Sequence, residues 1–206
     1  MRRLRNTVCT GLLALTSLAL SALSTGVAAA DWQPIHRTVT YPVTGKSGIE
    51  LYESIGHKGP VVGKGIRAIA HTDFRLTWTR KYERRGTACV LASARPKLII
   101  TYTLPKAVDA LPSPTRENWA VFVEGIARHE RGHGVFIEEL ARAIEAATVG
   151  LTVPDDPGCK KIKTEMTTRL GALSRAERQK SADYDKVEMG NGGTIQQLVL
   201  ALVNGG

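Results

Sequence analysis

From Thr115 to about Thr148 the apolar residues keep a helical period, and this stretch limits the available folds more than any other. Trp119, Phe122, Ile126, Phe136, Ile137, Leu140 and Ile144 fall on one stripe. A helix of this length with a single apolar stripe must lie against a broad partner surface. Ser113 and Thr115 stand where a helix cap belongs, with Glu117 and Asn118 in the first turn. The preceding segment, 105–114, carries three prolines and reads as a connector.

The partner surface is expected upstream, where the pattern switches to period two. His36 to Val43 reads as a strand ended by Pro42 and Gly45, and Ser47 to Ile55 as a short helix capped by Ser47 and stopped by Gly56. Gly65 to Tyr82 alternates, with Ile66, Ala68, Ala70, Phe74, Leu76 and Trp78 on one face and Arg67, His71, Asp73 and Arg75 on the other. A turn around Gly86 leads into a second strand, Ala88 to Leu104, with an interruption expected at Pro96. A Gly/Pro/Asp-rich connector, 150–158, precedes a more polar helix of about Cys159 to Val187, whose buried side is Ile162, Met166, Leu170 and Leu173. The apolar segment Leu198–Val203 has no assigned place. These pieces predict an α+β fold: an antiparallel β-sheet packed against two long antiparallel helices.

Residues 1–30 read as a signal peptide, with Arg2, Arg3 and Arg5 before an apolar stretch and Ala28-Ala29-Ala30 at a cleavage point just before Asp31. Residues 31–206 then form a single secreted or periplasmic domain, and no later segment is apolar enough for a membrane span. The mature part has 25 basic against 19 acidic residues, a mild excess that suits loose attraction to anionic polymers. Cys89 and Cys159 are its only cysteines; lying far apart and outside any C-x-x-C, they predict one disulfide. Closing a loop of about 70 residues would contribute about 3–4 kcal/mol on the chain-entropy account.

The middle of the long helix carries chemistry. His129-Glu130-Arg131-Gly132-His133 is an H-E-x-x-H sequence, and histidines four apart project from one helix face a turn apart. Two imidazoles so placed can share one tetrahedral Zn2+. Glu130, about 100° round the helix, reaches an activated water without being a ligand and serves as general base. Gly132 and Gly134 flank His133, each costing about 1 kcal/mol against alanine in a helix. Glycines there make sense where another chain segment or a substrate approaches closely.

The third ligand is open. The longer pattern H-E-x-x-H-x-x-G-x-x-H is excluded by Phe136 and Glu139. Glu138 and Glu139 point away from the histidine pair. The remaining acids are Glu165, Glu177, Asp183, Asp185 and Glu188, on or just after the second helix, and His71 lies on the polar face of a strand. His36 and His57 read as surface residues.

Leu51-Tyr52 with Gly59-Pro60, the Thr72–Trp78 strand, Cys89, Leu104-Pro105, the His129–His133 helix, Cys159 and Tyr184-Asp185 together resemble a bacterial family described as predicted secreted zinc-dependent proteases. The resemblance implies a secreted zinc peptidase. That family follows Tyr-Asp with a Thr and then a His-Gly pair; here Lys186-Val187-Glu188-Met189-Gly190-Asn191 contains no histidine. Glu188 or Asp185 is therefore expected to complete the metal site. The expected function is peptide-bond hydrolysis with Glu130 as base, on an unidentified peptide or protein substrate. The alternative is a catalytically degenerate envelope binding protein on the same fold. No nucleotide loop, haem attachment sequence or nucleic-acid module is visible.

Overall fold

The computed structural model describes residues 32–205; the expected signal peptide and its cleavage point lie outside them. The first strand, β1, is Ile35–Val43 and the first helix, α1, is Gly48–Lys58. A small hairpin of β2 (Val61–Val62) and β3 (Ile66–Arg67) follows, then two long strands, β4 (His71–Arg85) and β5 (Ala88–Ala107). The helix α2 spans Ser113–Thr148, β6 is Thr152–Val153, α3 spans Lys161–Glu188 and α4 spans Thr194–Asn204. The α+β class expected from patterning is the one formed.

The sheet runs in the order β1-β5-β4, with β6 added to the start of β5. β4 and β5 form the expected antiparallel hairpin, but β1 lies parallel to β5. α1 and the β2–β3 hairpin carry the chain across to the far edge, which makes the parallel pairing reachable. The strand expected from Gly65 splits, because Gly63, Lys64 and Gly65 take positive φ and turn the chain before β4 begins. Pro96 does not interrupt β5. It faces Trp78, in a stretch where β5 has a neighbour on one side only, since β1 pairs from Ile99 onward and β6 only with Cys89 and Val90. A missing N–H is tolerated at such a position.

Ser47 caps α1 through a reciprocal pair with Glu50, and the helix runs past Gly56 to Lys58. Pro114 sits in the first turn of α2, where its missing N–H has no intrahelical use. The stripe residues Trp119, Phe122, Ile126, Ile137, Leu140 and Ile144 are buried; Phe136 is only half-buried. α3 packs antiparallel to α2, since Arg169 donates to the Ala147 carbonyl near one end and Lys180 bonds Glu139 nearer the other. Its start is held by the Cys89–Cys159 disulfide and by the Asp156 carboxylate, which accepts from the amides of Lys160 at 2.8 Å and Ile162 at 2.9 Å. Burial raises the Asp156 pKa, but the amide hydrogen bonds outweigh it and leave the carboxyl below its usual range.

The unassigned apolar tail is α4. Ile195 and Leu202 join the core of Val43, Leu51, Trp119, Phe122 and Ile126, and Leu198 packs where Gly125 leaves space. The Leu202 carbonyl lies so near Gly48 that a Cβ there would come within 1.8 Å of it. Among the described residues no helix is long and apolar enough to cross a membrane.

Leu202 is 1 % exposed. Leu202→Ala is expected to lower the unfolding free energy by about 2–5 kcal/mol in urea titration. A change below about 0.5 kcal/mol would place α4 outside the cooperative core.

Candidate metal centre

The α2 stripe carries His129 and His133 inward, one turn apart, facing α3. His129 is 3 % exposed and its Nε2 lies 3.2 Å from Nε2 of His133. Asp185 of α3 meets both, with Oδ1 at 3.2 Å from His129 Nε2 and 2.9 Å from His133 Nε2. His129, His133 and Asp185 thus present three donor atoms to one point, as a metal ion requires. Bonds of about 2.0–2.1 Å to a tetrahedral ion would separate donor atoms by about 3.3–3.4 Å, within a few tenths of an ångström of what these residues show. The donor set fits a small divalent cation.

The outward-facing ring nitrogens decide which tautomers are presented. His133 Nδ1 lies 3.4 Å from Ser181 Oγ, and Ser181 donates to Glu177 Oε1 at 2.9 Å. The Ser181 oxygen is thereby left to accept from Nδ1–H, and the lone pair of His133 stays on Nε2. His129 Nδ1 is buried without a hydrogen-bond partner among the described residues, and Glu188 Oε2 lies 4.0 Å from it. Glu188 also accepts from Thr194 Oγ1 at 3.2 Å, at the start of α4. Of the two carboxylates expected as third ligand, Asp185 converges on the Nε2 pair, whereas Glu188 faces the other nitrogen of His129.

Glu130 is buried beside the pair. Thr72 of β4 donates to Glu130 Oε2 at 2.6 Å and approaches its carbonyl at 3.1 Å. The two glycines make room for aromatic rings. A Cβ on Gly134 would stand 2.2 Å from the Tyr102 hydroxyl, and one on Gly132 2.9 Å from that of Tyr184. Tyr184 stacks on His129, with ring centroids 4.8 Å apart and planes 12° from parallel. Hydrogen bonds and charge from the two histidines outweigh burial and hold the Asp185 carboxyl far below the usual range. Burial pulls the His133 pKa down, but the Asp185 carboxylate together with Glu130 and Glu177 more than compensates and the net shift is upward.

The other candidates are engaged elsewhere. Glu165 pairs with Arg169 and Asp183 with Gln179, each at 2.9 Å. Glu139 bonds Lys180, and Glu138 lies 3.3 Å from His36. His36 and His57 are exposed, as expected of surface residues, and His36 Nδ1 also lies 3.1 Å from the Tyr102 hydroxyl. His71 borders the cavity beside the site but does not join the cluster. The Thr72 contact with Glu130, Ser181 and the role of Glu177 were not foreseen from the sequence. A signal existed for the last two, since Glu177, Ser181 and Asp185 repeat every four residues and share a helix face.

The sequence model of a family described as "Bacterial protein of unknown function (DUF922)" matches residues 38–193, and the chain belongs to that family. No curated protein and no solved structure matches the chain. The family description assigns no activity, so the secreted zinc-protease expectation stands on the chain's own residues.

Asp185→Ala is expected to abolish stoichiometric binding of Zn2+ in calorimetric titration, whereas Glu188→Gln should weaken it by about 10–100-fold. The reverse order would make Glu188 the ligand. In the metal-free protein, Asp185 contributes stability that is full above the ordinary aspartate pKa and lost as pH falls through its depressed value. His133 contributes stability that is full below the ordinary histidine pKa and lost as pH rises through its raised value. The metal-free Tm should therefore peak between about pH 4 and pH 6.5, and Asp185→Asn should flatten the peak. Identical profiles would mean that the pair contributes nothing.

Proposed function

We propose that this bacterial protein is a zinc-dependent peptidase acting outside the cytoplasm. The observation that carries the reading is the meeting of His129 Nε2, His133 Nε2 and Asp185 Oδ1 within 2.9–3.2 Å, beside the buried Glu130. Two imidazoles and one carboxylate form a common catalytic zinc donor set, which leaves a fourth position for water or substrate. Zinc bound there would acidify a water molecule and polarise a substrate carbonyl.

The protein's own part follows from its hydrogen bonds. Thr72 occupies Oε2 of Glu130, so Oε1 is the atom left to take a proton from the attacking water and pass it to the departing amine. Anchoring one oxygen also fixes the plane of the carboxylate, which sets the direction of that transfer. The Ser181–Glu177 relay keeps a proton on His133 Nδ1 and leaves Nε2 free to act as a donor atom. A purely structural site would need neither a buried base nor a side chain to orient it. Extracytoplasmic action is supported by the Cys89–Cys159 disulfide and by the signal peptide read in residues 1–30.

Glu130→Gln is expected to retain one zinc per chain while losing about 10²–10⁴-fold in the rate of peptide hydrolysis. The assay is a casein-type or mixed-peptide digest with and without chelator, beside elemental analysis. Zinc-loaded wild type with no chelator-sensitive hydrolysis would favour the non-catalytic binding role instead.

A further inference from the structure

A cavity of about 590 Å³ opens beside the site, a size typical of a ligand pocket. Its walls are mostly apolar, while Glu130, Glu177 and Asp185 supply carboxylates on the α2 and α3 sides. Its long direction can be read from three contacts. Ala70 of the β3–β4 junction shares a core cluster with Ile126 of α2. Thr72 bonds Glu130. Ile137 clusters with Ile100, whose cross-strand partner is Phe74. The start of β4 therefore runs alongside α2 in the same direction, past the metal centre. Ile126 to Ile137 spans about 16 Å of helix, the length of about five residues of extended chain.

Two further features select what can lie there. Residues Arg67 to Thr72 border the cavity consecutively. β3 ends at Arg67 and β4 starts at His71, so the bent connection between them turns successive residues toward the cavity. β4 is the last strand of its sheet, with β5 on its other side, so the main-chain groups along its free edge are open to another extended chain. At the Ile126 end the wall includes Ala68 and Ala70, with Ile126 and Ile195. Large apolar side chains also lie exposed around the opening: Ile66 is 66 % exposed, Met189 51 % and Phe74 38 %.

Resting on the peptidase reading, we propose that this groove binds an extended peptide whose bulky aliphatic or aromatic side chain enters the space bounded by Ala68, Ala70, Ile126 and Ile195. The substrate class is thus peptides with a large apolar residue near the scissile bond. An acidic residue at that position is disfavoured by loss of water in an apolar pocket.

The test is equilibrium binding of fluorescein-labelled Ala-Ala-X-Ala-Ala peptides, with X as Phe, Leu, Ala or Asp, to the full Glu130→Gln chain with and without Zn2+. The Phe and Leu peptides should bind about tenfold or more tightly than the Asp peptide. Ala68→Trp should erase that preference with zinc stoichiometry unchanged. Ile66→Asp, on the exposed hairpin and unable to disturb the core, should reduce it several-fold. Phe and Asp peptides binding within a factor of about two of each other, or a preference that survives both substitutions, would overturn the assignment. A preference that persists while zinc-loaded wild type hydrolyses none of these peptides would instead overturn the peptidase reading and leave the groove standing.

Discussion

Two imidazole nitrogens 3.2 Å apart inside a protein are stabilised by a third group, and the packing of the helical layer supplies it. Rings that both keep their protons on Nδ1 present lone pairs to each other, and two protonated rings repel, so a cation in the first case or a carboxylate in the second stabilises the pair. Asp185 meets that need from α3, and its position depends on where α3 begins and how it is phased. The disulfide at Cys159 and the Asp156 carboxylate hold the first turn, and Ile162 and Met166 bury beside them. Beyond Leu170 the helix is largely polar as far as Ser181. α3 is thus held by its first turn and again around Asp185, where Ser181 meets His133 and Tyr184 lies on His129.

The close approach of α2 to its neighbours is made possible by missing side chains. Gly132 admits Tyr184 from α3, and Gly134 admits Tyr102 from the sheet, on successive sides of His133. Tyr184 then lies flat on His129 and edge-on to His133, so both rings are confined by packing as well as by hydrogen bonds. Each glycine weakens the isolated helix by about 1 kcal/mol, a cost that aromatic packing against the site offsets. A helix chosen for propensity alone would carry alanine here and would keep the tyrosines out.

Much of this was legible in the sequence where one residue's role is local. The α2 stripe, the i, i+4 histidines, the Ser47 cap and the cysteine pair each follow from short-range spacing or residue chemistry. The need for close approach at Gly132 and Gly134 was also readable, though not the identity of the approaching groups. What was not legible depends on contacts distant in the chain. The parallel pairing of β1 depends on a crossover, and strand periodicity reports faces rather than direction. α4 looked like an isolated apolar run because its partners, Leu51 and Phe122, lie far upstream. Thr72 is one of many threonines on alternating strands, and only the fold brings its hydroxyl to Glu130.

The ambiguity between Asp185 and Glu188 has a physical origin. They are three residues apart on α3 and share a face, so periodicity cannot separate them. Side-chain length and starting height do. The shorter Asp185 reaches the Nε2 side of the histidine pair, while the longer Glu188, one turn further on, lies toward Nδ1 of His129. The two carboxylates therefore flank one imidazole from its two nitrogens. The first meets the point shared by the two Nε2 atoms, and the second lies on the Nδ1 side of the ring without reaching hydrogen-bond distance. Glu188 also accepts from Thr194 Oγ1, which ties the end of α3 to the first turn of α4.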